Sequence, residues 1–193
     1  MNLRQKKKKL KLYNMKLCER YPFLIPRNVW TDKIIDGFNY NYTNLDSMPP
    51  GWKKAFGVLM CEEIRNALIK DDLLDKYRIL QIKEKYGGLR WYSNFYTSEL
   101  RDIICKYEYI SEHICDRCGR VDAPMINYHG WEVVCDKCIN DPRVNYENII
   151  VSHDFLENYI TITSYDNENG FVEREIDISD TLNKIRRGYH VRI

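Results

Sequence analysis

An α+β fold is predicted: helices packed on a β-hairpin, an embedded four-cysteine ribbon, and a C-terminal β-hairpin followed by a short helix. Three observations predict it. From Trp52 onward, Phe56, Leu59, Met60, Ile64, Ala67 and Leu68 recur at three- and four-residue steps, the period of an amphipathic helix. Two β-prone runs flank Gly87-Gly88, and two more flank the turn-rich "DNENG". Between them lie two Cys-x2-Cys pairs, "CDRCG" from Cys115 and "CDKC" from Cys135.

Taken in order, residues 1–21 read as a basic helix, because Leu10, Tyr13, Leu17 and Tyr21 share a helical spacing and Pro22 stops it. The lysines Lys6, Lys7, Lys8 and Lys9 are expected to lie in a frayed first turn, and Met15 offers a second start. Residues 22–51 carry proline at 22, 26, 49 and 50 and show no period. They are read as an irregular aromatic-rich segment in which Trp30, Phe38, Tyr40 and Tyr42 pack on the core or meet a partner. Residues 52–114 form a helix–hairpin–helix core. "YRILQIKEKYGGLRWYSNFY" supplies the hairpin, and Ser98 is expected to cap the second helix, with Leu100, Ile103, Ile104, Tyr107 and Ile110 on one face. Residues 115–143 are the ribbon. Residues 144–193 give the second hairpin and a last helix, capped by Ser179 or Asp180 and ended at Gly188.

The chain of 193 residues carries a net charge of +2, unevenly spread. Residues 1–20 hold eight basic side chains (Arg4, Lys6, Lys7, Lys8, Lys9, Lys11, Lys16, Arg20) and one acid, Glu19, for +7, so the remaining 173 sum to −5. Attraction to nucleic acid must therefore come from the N-terminal segment or a local patch. No stretch approaches the ~18 apolar residues of a membrane span, and the N-terminus lacks the apolar core of a signal peptide. A cytosolic, reducing setting is expected, with Cys18, Cys61 and Cys105 as buried small hydrophobes. The 15 tyrosines suit contact surfaces, although AT-rich coding would raise their number equally.

Sixteen residues separate Cys118 from Cys135, within the spacing by which two knuckles close on one ion. Four thiolates from Cys115, Cys118, Cys135 and Cys138 favour Zn2+, and a complete shell of protein ligands marks a structural site with no open position for activated water. His113 and His129 are nearby and redundant as ligands. From 115 to 143, Arg117, Arg120, Lys137 and Arg143 are outnumbered by Asp116, Asp122, Glu132, Asp136 and Asp141. A ribbon of that charge is a poor phosphate ligand, and a scaffold role, or a protein contact through Tyr128 and Trp131, fits better.

Pro49-Pro50-Gly51-Trp52, "IKEKYGGLRWY" from Ile82, "CDRCG", Gly130-Trp131 and "CDKC" together resemble a family of uncharacterised phage and prophage zinc-ribbon proteins over residues 50–138. The resemblance implies phage origin and zinc; it carries no activity. The expected function is non-enzymatic, a binding or regulatory protein acting on a host protein, with a defence-system component as one such target. The alternative is nucleic-acid binding through the N-terminal lysines and Lys83, Lys85 and Arg90 of the hairpin. A remoter one is a metal-dependent nuclease, with Asp71, Asp72 or Asp75 preceding Gln81, Lys83 and Glu84, although Gln81 stands where a second carboxylate belongs.

Overall fold

The computed structural model describes residues 1–127, 130–139, 150–152, 156–166, 169–188 and 191. Its architecture is α+β, as the periodicities require, with three small antiparallel sheets set among helices. Helix α1 spans Leu3–Arg20. A capping box closes its first turn, the Asn2 side chain accepting from the Gln5 amide at 2.9 Å and the Gln5 side chain accepting from the Asn2 amide at 3.0 Å. The lysine run is therefore helical, contrary to the frayed turn expected from its charge. The buried face also differs. Leu17 and Tyr21 are enclosed, but Leu10 and Tyr13 stay exposed and Asn14 is buried instead, its Nδ2 donating to the Tyr40 carbonyl at 2.9 Å. The body meets only the last turns of α1, so helical period alone overestimated its buried length.

The irregular segment wraps the core through two 3-10 turns, Pro22–Leu24 and Asn44–Ser47, which bury Phe23, Leu24 and Leu45. Helix α2 (Pro50–Trp52) then runs without a break through a π turn (Lys53–Gly57) into α3 (Val58–Lys70). Every apolar position expected on its inner face is buried, from Trp52 to Leu68. At the end of α1, Arg20 and Tyr21 both bond Glu62, at 2.6 and 2.7 Å, holding its carboxyl below the ordinary range against the opposing effect of burial.

Strands β1 (Ile79–Lys85) and β2 (Gly88–Ser93) form the expected hairpin, with Lys83 opposite Arg90. The turn residues are Tyr86 and Gly87, both at positive φ (56° and 79°), so the glycine pair is split: Gly87 turns and Gly88 starts the strand. Gly88 is small for another reason, since a Cβ there would lie 2.7 Å from Glu112 Oε1. Helix α4 (Ser98–Ser111) is capped by Thr97, one residue earlier than expected, its hydroxyl accepting from the Leu100 amide at 3.2 Å. It packs along the outer edge of β2. The Leu89, Trp91 and Ser93 amides, which face away from β1, donate to Ser111 Oγ (2.8 Å), Glu108 Oε1 (3.0 Å) and Tyr96 Oη (3.0 Å). Side chains thus seal a sheet edge that would otherwise hold buried, unpaired donors.

The ribbon strands β3 (Met125–Asn127) and β4 (Trp131–Val133) gain an unexpected third, β5 (Ile150–Ser152), which pairs with β3 from beyond the expected ribbon boundary. Strands β6 (Tyr159–Asp166) and β7 (Gly170–Asp177) form the second hairpin, and α5 (Ser179–Arg186) follows. No side chain caps α5 at Ser179 or Asp180; Asp177 accepts from the Ser179 amide instead, at 2.8 Å, and Gly188 follows the helix at φ 63° as expected. Ile160, Ile162, Leu182 and Ile185 join the main core, so the C-terminal third is part of the same body.

Ser111→Ala leaves the buried Leu89 amide without an acceptor. It is expected to cost about 1–3 kcal/mol, measured as a lower urea midpoint at unchanged slope.

Candidate metal centre

Helix α4 runs directly into the first knuckle, and the chain is redirected there by backbone bonds. The Cys115 amide donates to the Arg120 carbonyl (2.9 Å) and the Gly119 amide to the Cys115 carbonyl (2.9 Å). The second knuckle closes with the Cys138 amide on the Cys135 carbonyl (2.9 Å), and the two are joined by the Asp116 amide on the Val133 carbonyl (2.9 Å). All four sulfurs, of Cys115, Cys118, Cys135 and Cys138, lie within 4.8 Å of one another. Cys118 and Cys135 Sγ are 3.6 Å apart, against the ~3.8 Å that a tetrahedral thiolate site with ~2.3 Å bonds requires. The donors thus fit a single metal ion.

Electrostatics support the same reading. Burial pushes the Cys115 thiol up, opposed by the Cys135, Cys118 and Arg117 amides. Burial also raises Cys135, but the Cys118 thiol, the Lys137 and Cys138 amides and the Cys115 thiol outweigh it and bring it down to about 7. Cys138 is pushed up to about 12, first by its hydrogen bond to Cys118 and then by burial. Knuckle amides favour thiolate, while four thiolates at this distance repel; a central cation resolves the conflict.

The knuckle is gripped by the start of α2, which spacing could not reveal. The Gly51 amide donates to the Asp116 carbonyl at 2.6 Å, and buried Trp52 Nε1 donates to the Ile114 carbonyl at 2.6 Å. A Cβ on Gly51 would overlap the Cys115 carbonyl oxygen and stand 2.6 Å from the Asp116 carbonyl carbon. Gly119, at φ 82°, is constrained from the other side: a Cβ there would meet the Gly51 oxygen at 2.7 Å. The hairpin turn closes a third side, Gly87 resting against the Met125 side chain. Asp116, half-buried beside this junction, has its carboxyl pushed up to about 6, first by desolvation and then by Glu132.

The remaining sequence candidates are dispersed. His113 is buried against Tyr109 (5.0 Å between rings) and is outside the sulfur cluster; His129 and Tyr128 fall outside the described residues. Trp131 is half-buried on β4. Lys83, Lys85 and Arg90 do share one hairpin face, but Lys83 lies over Tyr92, Lys85 over Tyr86, and Arg90 is held by the Leu89 carbonyl (2.7 Å) and Glu112 (3.8 Å). Tyr40 is half-buried against Phe38, Tyr42 is partly exposed, and Trp30 is 91% exposed. For the nuclease set, Glu84 projects from the opposite face to Lys83 and accepts from the Gly87 amide (2.6 Å). Among the described residues, no group of three or more metal-ligating side chains gathers besides the four cysteines. Nor is any helix among them long and apolar enough to cross a membrane.

Compared with known proteins, the chain matches no family model, no curated protein and no solved structure.

Gly51→Ala forces a side chain against backbone at the knuckle and is expected to destabilise by about 2–3 kcal/mol, whereas Gly57→Ala, in the same helical run with its nearest neighbour at 3.4 Å, lacks that overlap and should cost far less. Urea titrations of the two variants make the comparison.

Proposed function

We propose that this protein is a non-enzymatic, zinc-stapled binding protein that docks on another protein through the turn carrying Trp30. The resemblance to phage proteins makes a host cytosolic protein the fitting partner, with a defence component among the candidates. Trp30 carries the reading. A tryptophan with 91% of its surface in water is a large apolar exposure, and its turn is tightly built. Asn28 Oδ1 accepts from the Trp30 and Thr31 amides (2.9 and 3.1 Å). Arg27 donates to the Asp32 carbonyl (2.7 Å), and Arg78 reaches across from the start of β1 to the Asp32 carboxylate (3.1 Å).

Order is what makes such exposure useful. A tryptophan on a preformed turn loses little conformational freedom on docking, and buried tryptophans dominate interface energies. Exposed Val29 and Leu80 border the adjoining groove of about 180 Å3, which also includes Arg27, Asp32 and Arg78, so apolar and charged groups lie side by side next to the turn. Zinc serves this surface indirectly. Four thiolates select it and fill its tetrahedron, so it stabilises the body and leaves no site for a bound water.

Two outcomes are expected. Elemental analysis finds about one zinc per chain, and X-ray absorption shows four sulfurs at ~2.3 Å; an oxygen or nitrogen ligand in place of sulfur would overturn the closed site. Affinity purification from the host retains a protein whose titrated affinity falls roughly 30-fold or more for Trp30→Ala, with an unchanged urea midpoint. Equal affinity of the two forms for every retained protein would refute the Trp30 surface.

A further inference from the structure

We infer that the free half of α1 docks in the major groove of duplex DNA, without sequence preference. From Leu3 to Leu12 every residue of the helix is exposed, and the first buried side chain is Asn14. Ten residues at ~1.5 Å each make a rod of about 15 Å standing beyond the core. It carries six cations, Arg4, Lys6, Lys7, Lys8, Lys9 and Lys11, and no acid. Among the described residues none of the six is paired with a carboxylate, whereas Arg20 at the other end of the helix is bound to Glu62. The reciprocal Asn2–Gln5 cap holds the rod helical to its tip.

The arrangement of charge selects the occupant. At about 100° per residue, Arg4, Lys8 and Lys11 line one side, Lys6 and Lys9 another, and Lys7 lies between Leu3 and Arg4. Cations surround the rod. One turn beyond Leu3 the apolar stripe is interrupted by Lys6 and Lys7, so Leu3 and Leu10 form no continuous face for a bilayer. A second copy of the helix would meet +7 with +7. A groove on an acidic protein contacts one helix face and leaves the others in water. A B-form major groove, ~12 Å wide, admits a helix and presents phosphates along both walls. The deep, narrow groove of double-stranded RNA does not admit one. The side-chain oxygens of Asn2 and Gln5, the amide side chains at the tip, each accept from the other's backbone amide, so neither is free for the bidentate contact by which Asn or Gln reads a base, and the contact is electrostatic. The rest of the chain, at −5, contributes no general attraction.

Fluorescence anisotropy with the full-length protein and a mixed-sequence 20-base-pair DNA duplex tests this. Wild type is expected to bind with Kd of about 10−4 to 10−6 M near physiological salt, and log K to fall against log salt with a slope near −5 for about six phosphate contacts. Replacing Lys6, Lys7, Lys8 and Lys9 with Gln keeps helix propensity and should reduce that slope by about 3–4 and the affinity at least ~30-fold. Leu10→Pro keeps every charge but breaks the rod; it should lose about 10-fold. Full affinity in Leu10→Pro would mean a flexible polycation and overturn the helical docking. Equal or tighter binding to double-stranded RNA, polyglutamate or anionic vesicles would overturn the choice of DNA, as would no binding at low salt. Trp30→Ala should leave all of these values unchanged, which separates this site from the protein-docking surface.

Discussion

The fold depends on two donors at the start of a helix, the Gly51 amide and the Trp52 indole, which hold the carbonyls on either side of Cys115. Ile114 and Trp52 are wholly buried, so without the indole the Ile114 carbonyl would be an acceptor cut off from water. This contact joins the longest helical run to the first knuckle at van der Waals distance, backbone on backbone. Gly51 and Gly119 permit it because neither presents a side chain. The ribbon is therefore wedged between α2, the β1–β2 turn and the end of α4. A metal ion held by the four sulfurs would stabilise the junction of three elements and not only its own loop.

Around that junction, polar groups inside the core are satisfied largely by tyrosine and glutamate. Tyr77 accepts from Trp91 Nε1 at 2.9 Å, Tyr107 donates to Glu63 at 3.0 Å, and Tyr21 donates to Glu62 at 2.7 Å. All three rings are fully buried. Three of the 15 tyrosines thus serve as apolar mass with a bonded tip inside the molecule, while others, Tyr86 and Tyr165 among them, stay exposed. Abundance alone suggested contact surfaces, and the residue that meets that description best is Trp30.

The Trp30 turn and the free half of α1 are both exposed, and they differ in physical kind. One is apolar and fixed by a web of turn hydrogen bonds; the other is a cationic rod fixed by its own helical bonds and cap. Their separation matches the segregation of charge in the chain, where the N-terminal segment is strongly basic and the body mildly acidic. Contacts made through a cationic rod weaken with salt, whereas contacts made through an apolar turn do not.

Local signals determined a good deal on their own. The α2–α3 face from Trp52 to Leu68, the two hairpins and the four-sulfur cluster all follow from periodicity and spacing, because each is a property of residues near one another in sequence. Where local rules compete, sequence reading erred by a residue or a turn: Thr97 capped α4 in place of Ser98, Tyr86 took the left-handed turn position beside Gly87, and α1 buried Asn14 in place of Tyr13. Other features were set only by the tertiary structure. Nothing near Gly51 says that its missing side chain makes room for Cys115, sixty-four residues away, or that Ser111 and Glu108 will close the edge of β2. Nothing near Trp30 says that Arg78 will brace its turn. Those outcomes depend on which surfaces meet when the chain collapses, and long-range packing decides them where the intervals within a motif cannot.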